Sequence, residues 1–396
     1  MSVTTLQLTA HDPIIARDGR PFGAGQGNRM RGLNWPLPSV VAGSFRTALV
    51  KANPQLDFAG DMPQRLMEIE VAGVFPSVGQ ELYLPAPSDA VAEPTKDGKG
   101  IQNVHRVTPQ PNIGGCDFSV DGLRPVMLSE AQSQSDFKPK VVPAWWPIGK
   151  LTDWLLGKPV TFEEKFLNAA KTEIRDHVCL DADTGAAAEG KIFATAGLNV
   201  THLPRYGAAE SKAVAERLCE ITLSVRVTTT DKAFEHVGKL NVWHPLGGER
   251  RLVHWQHSEA SDLWKCPEPV RIALGEAKRI RMVLTTPAIF EHGWRPNWLD
   301  AHTLTGKPTS DAPTLKLVGV SNARWKPVSG WSLAKLKDQP RGPKPIRRMV
   351  PAGSVYFFEK VEGDGNILAT NGWLNPVSDS LQDRNDGFGL AVWGTW

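Results

Sequence analysis

Little in this chain points to a metal centre, a disulfide framework or a bilayer. Its 396 residues hold four cysteines, Cys116, Cys179, Cys219 and Cys266, each tens of residues from the next, with no C-x-x-C pair and no histidine at finger spacing. Inert thiols are expected, and no metal site. No apolar run approaches the roughly 18 residues that a spanning helix needs, and the opening MSVTTLQLTAHD has no basic-then-apolar leader. A cytoplasmic protein with no membrane partner is the expectation. Neither the P-loop pattern nor the dinucleotide fingerprint occurs, so no nucleotide cofactor is expected. A G-x-S-x-G elbow is missing too, and the histidines and carboxylates form no recognisable catalytic set. His11-Asp12 is followed by Pro13, which favours a turn over a metal-binding helix. His254 and His257 in HWQH fall on opposite faces of a strand. Charge of one sign is also lacking: 45 basic against 42 acidic residues leave a net of +3. A polyanion would have to be held by local patches.

Two such patches are present. RDGRPFGAGQGNRMRG, residues 17–32, sets Arg17, Arg20, Arg29 and Arg31 against Asp18. Gly23, Gly25 and Gly27 let the backbone come close to an anion and turn its N–H groups toward phosphate oxygens. Asn28, Arg29 and Arg31 add donors without sequence preference, while Arg17 and Arg20 suit phosphates or base edges. The second stretch, 335–348, sets six cations against Asp338, with Lys344, Arg347 and Arg348 as a second basic wall. Glu249, between Gly248 and Arg250, is expected to order its own loop. The chain also holds 14 tryptophans. Some suit core or partner-interface positions, and Trp145, Trp146, Trp154, Trp294, Trp331, Trp393 and Trp396 are the candidates for anchors.

The hydrophobic pattern reads as α+β. Residues 3–8 form a strand. Ser39 is expected to cap a helix whose Val41, Phe45, Ala48 and Leu49 share one face, ended by Asn53-Pro54. EIEVAGVF (68–75) and ELYLPAP (81–87) are strands, giving the β-α-β-β opening of a ferredoxin-like or RNA-recognition-motif fold. From about 85 to 147 prolines and polar residues replace periodicity, which marks a long proline-rich insertion. Leu151, Trp154 and Leu155 suggest a short docking helix, and 175–198 a hairpin. Strands at 220–229, 251–256, 280–287, 315–321, 353–361 and 387–394, with a helix at 269–279, imply a second α+β domain. The expected domains are 1–205 and 206–396.

Read with its neighbours, DPIIARDGRPFGAGQGNRMRGLNWPLPSVVAGSFRTAL (12–49) resembles the N-terminal signature of a RAMP-superfamily subunit of type III-B (Cmr) CRISPR effector complexes. HVCLDADTGAAAEGKIFAT (177–195), LGGERR (246–251), LTTPAIFEHGWRP (284–296), VSGWSLAKLKDQPRGPKPIRRMVPAGSVYFFE (328–359) and DGFGLAVWG (386–394) extend the resemblance in order. Residues 90–145 and 297–314 match poorly. The resemblance implies two ferredoxin-like domains with glycine-rich loops facing RNA and no active site of their own. It implies a subunit that anchors the 5′ tag of the CRISPR RNA and contacts the large polymerase-like subunit and a backbone RAMP subunit, with target RNA met only indirectly. The family commonly has an aromatic pair where Ile15 and Ala16 stand, and a tyrosine at Phe193. The alternative reading is a metal-independent endoribonuclease for repeat RNA, with His11 or His244 as the general base.

Overall fold

A computed structural model describes residues 2–17, 28–30, 32–111, 122–129, 132, 136–332 and 341–396, with the backbone alone at 28 and 29. Strand β1 (Ser2–Ala10) buries Leu6, Leu8 and Ala10 on one face, as period-2 alternation requires. Helix α1 (Pro38–Ala52) lays Val41, Phe45, Ala48 and Leu49 against that face. Its N-cap is Leu37 and not Ser39. Pro38 takes the first helical position, where its fixed φ suits the helix and its missing N–H costs nothing, so the helix begins one residue before Ser39.

Strands β2 (Glu70–Val78), β3 (Glu81–Pro85) and β4 (Trp145–Pro147) follow, then helix α2 (Ile148–Leu155) and the long hairpin β5 (Lys171–Leu180) and β6 (Ala187–Asn199). Strands β7 (Thr222–Thr229), β8 (Asn241–Pro245) and β9 (Leu252–Ser258) complete one seven-stranded sheet, ordered β8-β9-β1-β7-β2-β3-β4. Strand β7 thus inserts between β1 and β2, antiparallel to both. The strands at 222–229 and 252–258, placed by sequence in the second half, belong to the first sheet. The change of sheet falls between 258 and 279, beyond 205. Because β3 and β4 pair directly, Leu84 opposite Trp146, the segment between them leaves the sheet and rejoins it next door. That excursion carries a hairpin of its own, 90–94 with 101–106.

The second sheet follows helix α3 (Glu268–Glu276). It contains β10 (Arg279–Leu284), β11 (Thr314–Ser321), β12 (Val355–Glu362) and, after helix α4 (Asn366–Thr370), β13 (Leu390–Thr395). Their order is β11-β12-β10-β13, every neighbour antiparallel, with one short strand at each edge. Numbered within each set, β9-β1-β7-β2 and β13-β10-β12-β11 both run fourth, first, third, second.

One apolar core runs through both sheets, from Leu6 to Trp393. Four tryptophans expected as possible interface anchors lie in it: Trp145, Trp146, Trp154 and Trp393 are at most 7% exposed. Trp146 meets Trp154, Phe162 and Phe166 edge-on at 5.2–5.5 Å or within that range, the geometry that ring quadrupoles favour. Two buried ion pairs tie the sheets together. Arg46 of α1 reaches Asp386 at 2.5 Å and donates to the Ile69 and Asn385 carbonyls. Arg281 of β10 reaches Asp89 of the excursion at 2.5 Å, both side chains fully buried. Among the described residues no helix is long and apolar enough to cross a membrane.

Candidate nucleic-acid interface

The arginine–glycine loop springs from a clamped stem. Beyond β1 the chain turns at His11, whose N–H donates to the Leu252 carbonyl, and runs beside β6, with Ile14 and Leu198 exchanging bonds of 2.9 and 2.8 Å. Ile15 lies under the 246–251 loop, where the Gly248 N–H donates to its carbonyl at 2.9 Å. Ile15 and Ala16 are 5% and 3% exposed. They pack inward as apolar residues, so an aromatic pair is not needed to anchor the stem. On the return, Asn28–Arg29 lies parallel to Phe193–Ala194, Met30 N–H donates to Ala194, and Leu33 N–H donates to Ala16.

Gly247 is where this clamp is tightest. Its φ is +77°, and a Cβ there would stand 2.4 Å from the Ile15 carbonyl oxygen. Gly247→Ala is therefore expected to cost about 1–3 kcal/mol of stability, strain and contact acting together. A thermal melt of the two proteins checks it. Glu249 and Arg250 continue the turn at φ of 56° and 49°. Glu249 thus sits in a left-handed turn.

Of the residues singled out in sequence, Arg17 is exposed and bridges to Gly32 in backbone pairing. Asn28 and Arg29 are placed by backbone alone. Arg20, Gly23, Gly25, Gly27 and Arg31 lie outside the described residues. In the second stretch, Arg347 is committed: it grips Asp383 with two bonds of 2.7 and 2.8 Å. Its neighbour Arg348 lies over the Trp325 ring at 5.0 Å, and the half-buried Lys344 is pinned by its own N–H on Gly330. Lys344 and Arg348 remain the cations of this wall without an acidic partner among the described residues.

What sequence reading missed is that the two basic stretches share a root. Leu37, Ile289, Val328, Met349 and Phe388 form a small buried cluster, with Leu33 and Val40 packed against it. Leu33 closes the stem of the first loop. Val328 and Met349 sit on the strand pair 326–328 and 347–349 that carries the second. Residues more than 300 positions apart in sequence are thereby held on one support.

The hairpin β5/β6 adds groups to the first loop. His177 stacks on Phe193 at 5.1 Å and bonds to Thr195 Oγ1 at 2.8 Å. On the same face Arg175 pairs with Glu173, and a crevice lined by Pro13, Ile15, Arg175, Thr195 and Arg251 lies beneath. The Arg251 Nε is buried there with no hydrogen-bond partner among the described residues.

The two histidines considered as a base differ. His11 is exposed. His244 is 7% exposed, and burial, helped by the Lys51 charge, pushes its pKa down, so it is neutral at pH 7. A folded pKa below the unfolded value of about 6.5 contributes stability that is present above 6.5 and lost as pH falls. Unfolding stability is expected to drop from about pH 6.5 downward, and His244→Gln to remove that part of the slope. Parallel slopes in the two proteins would contradict it. Among the described residues no group of three histidines, cysteines or carboxylates could hold a metal ion.

Residues 6–396 match the family model described as CRISPR-associated protein (Cas_Cmr3). The chain belongs to that family. With the family comes a place among the Cmr subunits of type III-B CRISPR systems and a role in type III CRISPR defence. Among solved structures, the Cas_Cmr3-family chain is similar at 14% identity to a chain of the type III-B Cmr-beta complex bound to cognate target RNA and AMPPnP. That match has a TM-score of 0.46 and covers 89% of this chain and 86% of that one. A chain of the Csm3–Csm4 subcomplex of the type III-A CRISPR-Cas interference complex is similar at 9% identity, with a TM-score of 0.31 and coverage of 91% and 94%. No curated protein matches the Cas_Cmr3-family chain.

Proposed function

We propose that this chain is a non-catalytic RNA-binding subunit of a type III-B effector complex. It anchors the 5′ tag of the CRISPR RNA and bridges the large polymerase-like subunit to the backbone RAMP subunit. The observation that carries the reading is the shared root of the two basic stretches: the Leu33–Leu37 and Val328–Met349 segments meet in one apolar cluster, so two cationic loops rise from one support. Single-stranded RNA suits such a pair, because basic groups can follow the backbone while unstacked bases are read at their edges. We read both sheets as ferredoxin-like. The repeated fourth, first, third, second strand order supports that reading, as does α1 crossing from β1 to β2.

The test is to purify the chain from cells expressing a CRISPR array, extract the RNA and sequence its 5′ ends. A single repeat-derived 5′ sequence is expected. Random ends would remove the tag assignment. A net charge of +3 gives the isolated chain a weak overall field. Tag RNA is therefore expected to bind more tightly when the large subunit is present, because a partner that orders the loop lowers the cost of binding. Labelled repeat RNA should stay intact with the purified chain, with or without divalent metal. Boundary cleavage lost in His11→Ala would establish the endoribonuclease instead.

A further inference from the structure

One aromatic set on the first sheet is not used by this reading. Strand β8 is the outer strand of that sheet, and on the face turned away from α1 it presents Trp243, 53% exposed. His254 stands directly opposite in the ladder, and the two rings stack with centroids 4.7 Å apart and planes 17° from parallel. His254 is itself fixed by a 2.6 Å bond between its Nε2 and Asn241 Oδ1. His11 meets the indole edge-on, at 5.8 Å and 83°. The indole is thus held in place by its neighbours while half of its surface stays open.

Part of that face is covered. Arg226, in the same face on β7, donates to the Leu374 carbonyl and Asn375 Oδ1 at 2.8 Å each and lies over Trp264. The Trp243 corner lies outside that cover. A large flat ring fixed before any ligand arrives loses little freedom on stacking, which favours a flat ligand. The surroundings narrow the class. Asn241, Thr9 and Gln256 line the same face, and Leu252, 38% exposed, is its main apolar neighbour. Such polar side chains can hydrogen-bond the edges of an unstacked base. From this corner both chain segments lead to cations: β8 continues into Arg250 and Arg251, and His11 into Arg17. Neither Arg17 nor Arg250 has an acidic partner among the described residues. A stacked ring on segments that lead to cations without an acidic partner among the described residues matches a base and the phosphates that flank it.

We propose that Trp243, seated on His254, stacks one unpaired base of the single-stranded RNA whose backbone the arginine loop holds. The contact lies outside that loop and rests on the RNA-binding reading above. The full chain is titrated with labelled single-stranded RNA of about ten nucleotides, and with a series carrying one abasic position moved along the strand. Trp243→Ala is expected to weaken binding roughly five- to a hundred-fold, and Trp243→Phe to retain most of it. The salt slope should stay unchanged, because stacking releases no counterion. One abasic position should weaken the parent protein and leave Trp243→Ala indifferent. If Trp243→Ala binds RNA like the parent while arginine-loop variants do not, the stacking site is overturned and the RNA reading stands. If it binds RNA normally but no longer comigrates with the large subunit, the corner is a protein contact and the proposal falls. If the parent protein binds no RNA alone or with the large subunit, both fall together.

Discussion

Replacing Asp89 by alanine is expected to destabilise the folded chain by about 3–5 kcal/mol, the loss typical of a buried ion pair broken from one side. Asp89 is fully buried and its carboxylate is used twice: Oδ2 takes Arg281 Nη1 at 2.5 Å, and Oδ1 accepts the Trp154 indole N–H at 2.8 Å. Arg281 also donates to the Trp154 carbonyl. Burial pushes the Arg281 pKa down, with the Asp89 charge opposing, and burial together with Arg281 pushes Arg106 down to about 10. Without Asp89 the fully buried Arg281, with the half-buried Arg106 beside it, has no anion among the described residues. Asp89→Asn keeps an acceptor for the indole and removes only the charge, so its loss should be smaller. Asp153→Ala, which breaks an exposed 3.3 Å contact to Lys158, should cost less than about 1 kcal/mol. Urea unfolding followed by tryptophan fluorescence compares the three. Because Asp89 leaves the first sheet and Arg281 lies in the second, probes in both sheets should shift together. A loss in Asp89→Ala no larger than in Asp153→Ala would mean that the pair does not hold the sheets.

The local elements were legible because they obey short-range rules. β-branched and apolar residues gave β1, the i, i+4, i+7 spacing gave α1, and the turn-rich centre of 175–198 gave the β5/β6 hairpin. What failed was long-range. Nothing in TLSVRVTT says that it pairs with β1 and β2, residues more than 140 positions earlier, since an antiparallel partner is chosen by fit and not by sequence distance. Strand β8 was missed because NVWHP is short and ends in proline. Even once it is seen, whether Trp243 or His244 faces α1 depends on the register with β9. The candidate interface was legible in part for the same reason. Glycine and arginine advertise a loop that approaches an anion, whereas the support that joins it to the second basic stretch is made of Leu33, Val328 and Met349, ordinary apolar residues. The Arg347–Asp383 pair, invisible in sequence, gives one of the expected RNA cations an acidic partner.

That pair decides how the second large effect should be distributed. On the proposed reading, Arg17, Arg20, Arg29 and Arg31 each neutralise one phosphate, and replacing all four by alanine should lower the log–log salt slope by about 2.8, at about 0.7 per contact for a single strand. Extrapolated from about 1 M to about 0.1 M salt, this is a loss of roughly several hundred-fold in affinity, larger than any single stacking contact provides. Removing both Lys344 and Arg348 should lower the slope by about 1.4. Arg347→Ala should behave otherwise. Its guanidinium is already neutralised by Asp383, whose side chain is 5% exposed, so truncation leaves a nearly buried carboxylate unpaired and lowers the melting temperature with little change in slope. Titrations of tag RNA at several salt concentrations, with melting curves on the same proteins, separate the cases. A four-arginine variant with the parent's slope would return the loop to solvated surface. A slope change in Arg347→Ala equal to that of Arg348→Ala would show that RNA displaces Asp383 from Arg347, making that carboxylate a competitor for the phosphate and not a permanent partner.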